Sequence, residues 1–112
     1  MSIEQTDVID FQGTLPESGK VRLTIADHLE WGDERHFDLL SRKLNVYIHY
    51  LENQMPSQFP QLAGRQVEIH LGCKYQPDSE SVAVLESFRK TLSDLGIEFF
   101  WRVSKWHEDL QD

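Results

Sequence analysis

From Arg65 to Tyr75 the chain alternates without a break. Val67, Ile69, Leu71, Cys73 and Tyr75 fall on one side, and Gln66, Glu68, His70, Gly72 and Lys74 on the other. A strand points successive side chains to opposite faces. One apolar face and one mainly polar face therefore require a sheet covered on one side only. Two further segments make the same demand. Lys20 to His28 sets Val21, Leu23 and Ile25 against Arg22, Thr24 and Ala26, and Ile97 to Val103 places Ile97, Phe99, Trp101 and Val103 on one face. Thr6 to Gly13 reads as a first strand with Ile9 and Phe11 sharing a face. The turn residues Pro16-Glu17-Ser18-Gly19 then join it to the second strand as a hairpin, because proline pre-sets one dihedral and glycine permits a positive one.

Two helices supply the cover. Asp33 is a good N-cap, and Glu34 in the first turn suits the helix dipole. A helix to about Asn53 would bury Phe37, Leu40, Leu44, Ile48 and Leu51 as its core stripe. Pro56 and Pro60 then end it, so that 54–64 is expected as a loop. Pro77-Asp78-Ser79 opens a second helix over 79–95, with Val82, Leu85, Phe88, Leu92 and Leu95 as its stripe and Gly96 as the residue that stops it. The expected fold is α+β: a two-layer ββαβαβ sandwich in which a four-stranded sheet carries both helices on one face. Right-handed crossovers give strand order 1-2-3-4 with strand 1 antiparallel to the rest. A loop of 54–64 that crosses the domain would instead reverse strand 3.

The length, 112 residues, suits a single domain over 1–112, with an ordered core of about 6–103 and a polar tail of 104–112 that frays. Apolar residues at 39% and charged residues at 27% are ordinary globular usage, so a core can form without staples. The start carries neither a basic segment nor an apolar run, and no stretch reaches the roughly 20 apolar residues of a membrane span. With a single cysteine, these features lead us to expect a cytoplasmic protein. A formal net charge of -8 argues against nucleic acid and against anionic membrane, both of which draw clustered Lys and Arg. It is compatible with a basic protein partner.

Four places invite a functional reading. The run from Asp27 to His36 packs two histidines and four carboxylates into ten residues. Asp27, His28, Glu30, Trp31, Asp33 and His36 are its candidate binding residues, since imidazole beside carboxylate can ligate a cation or exchange protons. The spacing matches no metal motif, and capping by Asp33 with Trp31 packed over the helix entry accounts for much of the cluster. The uncovered sheet face is the second place, with Arg22, Thr24, Glu68, His70, Lys74, Glu98, Phe100 and Arg102. Aromatic and Arg residues are enriched in interface hot spots, which singles out Phe100 and Arg102. The face lacks the paired aromatics on adjacent strands that stack RNA bases. Third, Leu39, Val46 and Tyr50 lie nearly opposite the core stripe of the long helix, to be covered by the proline-rich loop or by a second subunit. Last, Cys73 has inward parity and reads as an inert apolar residue. No metal site, cofactor motif, phosphate loop or nucleophile elbow is visible.

The segment Val8-Ile9-Asp10-Phe11 and the run Leu23-Thr24-Ile25-Ala26-Asp27-His28-Leu29-Glu30-Trp31-Gly32-Asp33-Glu34 resemble a family of short bacterial proteins with no assigned activity. Leu44-Asn45-Val46-Tyr47, Gly64-Arg65, and Lys74-Tyr75 before Pro77 are similar to it as well. The likeness covers about 6–103, and the junction is its most specific part. Where the family places a Ser-Gly pair after the long helix, this chain has Asn53-Gln54-Met55. The resemblance implies a bacterial cytoplasmic protein and carries no catalytic role.

The reading favoured is a non-enzymatic protein-interaction module: an adaptor, a regulatory subunit or an immunity-type protein. The alternative is a small-molecule binder or simple enzyme with a pocket where strand 2 meets the first helix. A homodimer is expected from the exposed Phe100 and the second stripe of the long helix.

Overall fold

A computed structural model describes residues 3–6, 9–62 and 64–103. Strands β1 (Phe11–Thr14), β2 (Val21–Asp27), β3 (Val67–Cys73) and β4 (Ile97–Val103) form one sheet in the order β1-β2-β3-β4. β1 is antiparallel to β2, and β2, β3 and β4 are parallel. Helices α1 (Glu34–His49) and α3 (Ser79–Asp94) are the two crossovers, and a short α2 (Met55–Gln58) follows α1. The expected α+β sandwich and strand order hold, and 54–64 does not reverse β3. Gly19, with φ 73°, closes the hairpin by donating its N–H to the Leu15 carbonyl at 2.9 Å.

The inward parity of β2, β3 and β4 builds the core. Val21, Leu23, Ile25, Ile69, Leu71 and Phe99 meet Leu40, Leu44 and Tyr47 from α1 and Leu85 and Leu92 from α3. Burying a Leu or Ile side chain is worth about 1.5–3 kcal/mol. The apolar stripe of α3 is therefore the main attachment of that helix. Asp78 caps α3 by accepting the Ser81 N–H at 2.8 Å, and this bond holds its carboxyl below the usual range.

Several boundaries differ from the sequence reading. The first strand is Phe11–Thr14 rather than Thr6–Gly13, with residues 7 and 8 outside the described residues. Asp10 ends it: its carboxylate accepts the Ala26 N–H at 3.0 Å, and its own N–H goes to the Tyr47 hydroxyl at 3.0 Å. A side chain thus takes the place of a ladder bond, and the parity resets. Ile9 packs on the core while Phe11 turns to the open face, 54% exposed. Ile3 is fully buried and donates its N–H to the Ala26 carbonyl, so the core begins before residue 6.

The buried stripe of α1 is rotated from the expected one. Leu40 and Leu44 are buried, but Phe37, Ile48 and Leu51 are only partly so, and His36, Lys43 and Tyr47 take the centre. Polar side chains occupy a core face because each finds a partner there. Lys43 Nζ donates to Asp10 Oδ1 at 2.6 Å and to the Gln5 carbonyl at 2.7 Å, and Tyr47 donates to the Thr24 carbonyl at 2.9 Å. Pro56 does not end the helical run. A π-turn over Tyr50–Gln54 lets the Met55 N–H reach back to the Tyr50 carbonyl. Pro56 then falls in the first turn of α2, where no N–H partner is needed. Leu95 lies beyond the end of α3 and is 53% exposed, not part of its stripe. The expected fraying of 104–112 lies outside the described residues.

Candidate binding surfaces: a closed junction and an open sheet face

The junction between β2 and α1 is built around a buried dyad. Asp27 ends β2 on its inward face, and His36 sits in the first turn of α1; both are buried. His36 Nε2 lies 2.5 Å from Asp27 Oδ2, and Nδ1 lies 2.9 Å from the Glu30 carbonyl. A carbonyl only accepts, so Nδ1 carries a hydrogen, and the Nε2–Oδ2 contact holds another. Asp27 Oδ1 accepts the Leu29 N–H at 3.1 Å. Trp31 stacks on the His36 ring at 4.0 Å and donates its indole N–H to the Tyr75 carbonyl at 3.0 Å. Asp33 accepts the Arg35 N–H as the cap of α1. His28 meets Glu4 at 2.9 Å, and Arg35 reaches the same carboxylate.

The structure thus brings Asp27, Trp31 and His36 together and turns Asp33 and His28 to other partners, with Glu30 exposed. A hollow of about 260 Å³ is lined by Glu30, Trp31, Asp33, Arg35 and His36. Ligand sites usually run from about 300 to 1,000 Å³. Neither His36 nitrogen is left to meet a substrate. Among the described residues no group of three or more His, Cys, Asp or Glu side chains is placed to hold a metal ion. Cys73, beside this junction, is buried, and burial together with the Asp27 carboxylate pushes its thiol up to about 12. In sequence this cluster looked chemically rich; in space Asp27 and His36 pair with each other, while His28, Trp31 and Asp33 take Glu4, the Tyr75 carbonyl and the Arg35 N–H.

The outer sheet face is different. The register aligns Phe11, Thr24, His70 and Phe100 in one row across all four strands. His70 and Phe100 stack at 4.9 Å, and the Arg22 guanidinium lies 5.3 Å from the Phe100 ring centre. Arg22 also pairs with the largely buried Glu68 at 3.2 Å. Burial pushes the His70 imidazole below its usual range, helped by Arg22 and Arg102 and opposed by Glu68. His70 Nε2 is buried with no hydrogen-bond partner among the described residues. On the next row Ala26 and Gly72 are buried beside the exposed Arg102. Arg102 makes no ion pair among the described residues. The row carries aromatic rings on adjacent strands, contrary to the sequence reading that such pairs were missing.

Of the second stripe of α1, Tyr50 is buried and donates its hydroxyl to Gln12 Oε1, and burial raises that hydroxyl above its usual range. Leu39 packs on the core, Val46 is half-buried, and Met55 and Leu62 from the following segment are core residues. Sequence reasoning missed Phe11 and the buried Asp10–Lys43 pair. An aspartate inside an alternating run, with a lysine on a helical core face, was the available signal for the pair.

Among the described residues no helix is long and apolar enough to cross a membrane. No curated protein matches the chain, and no solved structure does. The model of a family of unknown function, DUF6572, matches residues 1–105, ending two residues beyond β4. The chain belongs to that family.

Proposed function

We propose that this chain is a non-enzymatic protein-binding module of the bacterial cytoplasm, docking its partner on the open sheet face. The observation that supports this most is the row Phe11–Thr24–His70–Phe100 on a layer that no helix covers among the described residues. Phe11 is exposed, and Phe100, half-buried rather than exposed as the sequence suggested, lies 5.3 Å from the Arg22 guanidinium; aromatic and arginine side chains are those from which interface hot spots are built. Charge specifies the partner further. The acidic residues Glu30, Asp33, Glu34, Asp38, Glu52 and Glu80 are exposed on the junction and helices, whereas on the open face Glu68 is paired with Arg22 and Glu98 with Lys20, and Arg102 has no ion pair among the described residues. A partner presenting apolar side chains flanked by a carboxylate fits the face: the apolar groups meet Phe11 and Phe100, and the carboxylate meets Arg102.

The test begins with capture from a lysate of the native host, followed by titration of the purified partner. Phe11→Glu and Arg102→Glu should each weaken binding at least tenfold. Glu34→Lys with Asp38→Lys on the outer side of α1 should leave it unchanged. A partner that is indifferent to Phe11→Glu and lost on α1 charge reversal would overturn the reading.

A further inference from the structure

The two edges of the sheet are guarded unequally. β1 is four residues long, contains Gly13 and is exposed along its length. β4 is seven residues, Ile97-Glu98-Phe99-Phe100-Trp101-Arg102-Val103, with no proline, glycine or lysine. Short strands, prolines and lysines are the usual devices that stop an edge from templating another strand. β4 has none of them, and its composition has high β-propensity. Among the described residues nothing pairs with its outer edge. Between α3 and β4 lies an open groove of about 830 Å³ whose lining includes Glu86, Arg89, Lys90 and Asp94 of α3 and Ile97 and Phe99 of β4.

We infer that β4 pairs antiparallel with β4 of a second copy of this chain, about a two-fold axis through Phe100 and perpendicular to the sheet. The occupant follows from self-complementarity. An axis in that direction keeps both pairs of helices on one side and requires opposed residue numbers to sum to an even value. Centred on Phe100, Glu98, which within its own chain also meets Lys20 Nζ at 3.2 Å and accepts from Gln66 Nε2 at 2.7 Å, faces the second copy's Arg102; Phe99 faces Trp101, Ile97 faces Val103, and Phe100 meets itself. Opposite charges and aromatic pairs directly across an antiparallel ladder are favourable. Centring one residue earlier sets Glu98 against Phe100, and one residue later sets Phe100 against Arg102; neither pairs the charges. The groove walls carry both signs, so the two α3 helices approach without net like charge. The contact is isologous and therefore closes at two copies. It also makes one eight-stranded face in which the row of one copy runs through Phe100 into the row of the other. The pairing stands whether or not that face takes a partner.

Light scattering should give twice 13.1 kDa at high protein concentration and 13.1 kDa on dilution. Arg102→Glu should raise the dissociation constant at least tenfold, and Glu98→Arg with Arg102→Glu should restore association. Phe100→Cys provides a second readout that depends on register. Residues directly opposite in such a ladder lie about 4.5–5.5 Å apart, within disulfide reach. Mild oxidation should thus trap a covalent dimer through position 100, with the buried native Cys73 uninvolved and Phe11→Cys giving none. Circular dichroism checks that each variant is folded. A native chain that stays at 13.1 kDa to millimolar concentration would overturn the proposal. So would a dimer trapped through Phe11→Cys but not Phe100→Cys.

Discussion

The junction and the open sheet face hold comparable numbers of aromatic and ionisable side chains, yet they differ in what those side chains have left to offer. At the junction Asp27 and His36 consume each other, Asp33 serves the helix, His28 takes Glu4, and the Trp31 indole takes a backbone carbonyl. On the open face Phe11 is more than half exposed, and among the described residues Arg102 has no counter-charge and the outer edge of β4 has no partner strand. A dense cluster of titratable residues is thus weak evidence for a site when its members satisfy one another. Residual capacity is the better guide. On this basis, junction substitutions should act on stability, and open-face substitutions on association.

The largest effect expected is at the dyad. His36→Ala strands the Asp27 carboxylate in the core and removes the ring on which Trp31 stacks. Breaking a buried pair by deleting one partner costs about 3–5 kcal/mol, a large share of the roughly 5–15 kcal/mol typical of a domain. Urea denaturation should show that loss, while partner affinity per folded molecule stays at the native value. Lys43→Met should behave similarly, because Asp10 is then buried without its cation. If either variant kept native stability but lost binding, the junction would be the site and the comparison would reverse.

How far the sequence could be read follows the same division. The alternation in β2, β3 and β4 was legible because one-sided burial leaves a period-two pattern, and strand order followed from crossover handedness. The rotation of α1 was not. Counting apolar residues favours Phe37, Ile48 and Leu51, whereas the core takes His36, Lys43 and Tyr47 because partners from the N-terminal segment, Asp10 and β2 meet them there. Those partners are distant in the chain, so no local pattern announces them. Alternation puts Ile9 and Phe11 on one face, and the ladder-replacing carboxylate of Asp10 between them cancels that parity. Of the junction residues, the fold brings Asp27, Trp31 and His36 together. Whether each was engaged depended on contacts such as Glu4–His28 and Trp31–Tyr75, which only the folded chain displays.

A smaller effect should appear with pH. The lowered pKa of His70 means that the unfolded chain takes up a proton first as pH falls below the ordinary histidine value of 6.5. Between that pH and the folded-state value, the unfolded state binds more protons, so stability falls as pH falls and levels off below the folded value. His70→Gln should remove this part of the pH profile, measured as the difference between the two denaturation curves. An unchanged profile would mean that the face is wetter than its stacked rings imply.

The smallest expected effect on stability, at Phe11→Ser, is also the sharpest discriminator. A side chain 54% exposed at the end of a short edge strand contributes little to the fold. Surface substitutions of this kind usually stay within about 0.5 kcal/mol. Thermal denaturation should therefore barely move, while the affinity for a partner seated on the sheet falls. Dimerisation should be untouched, because β1 lies at the opposite edge from β4. A loss above about 1 kcal/mol would instead mean that Phe11 is packed against covering material, and the open face would be as closed as the junction.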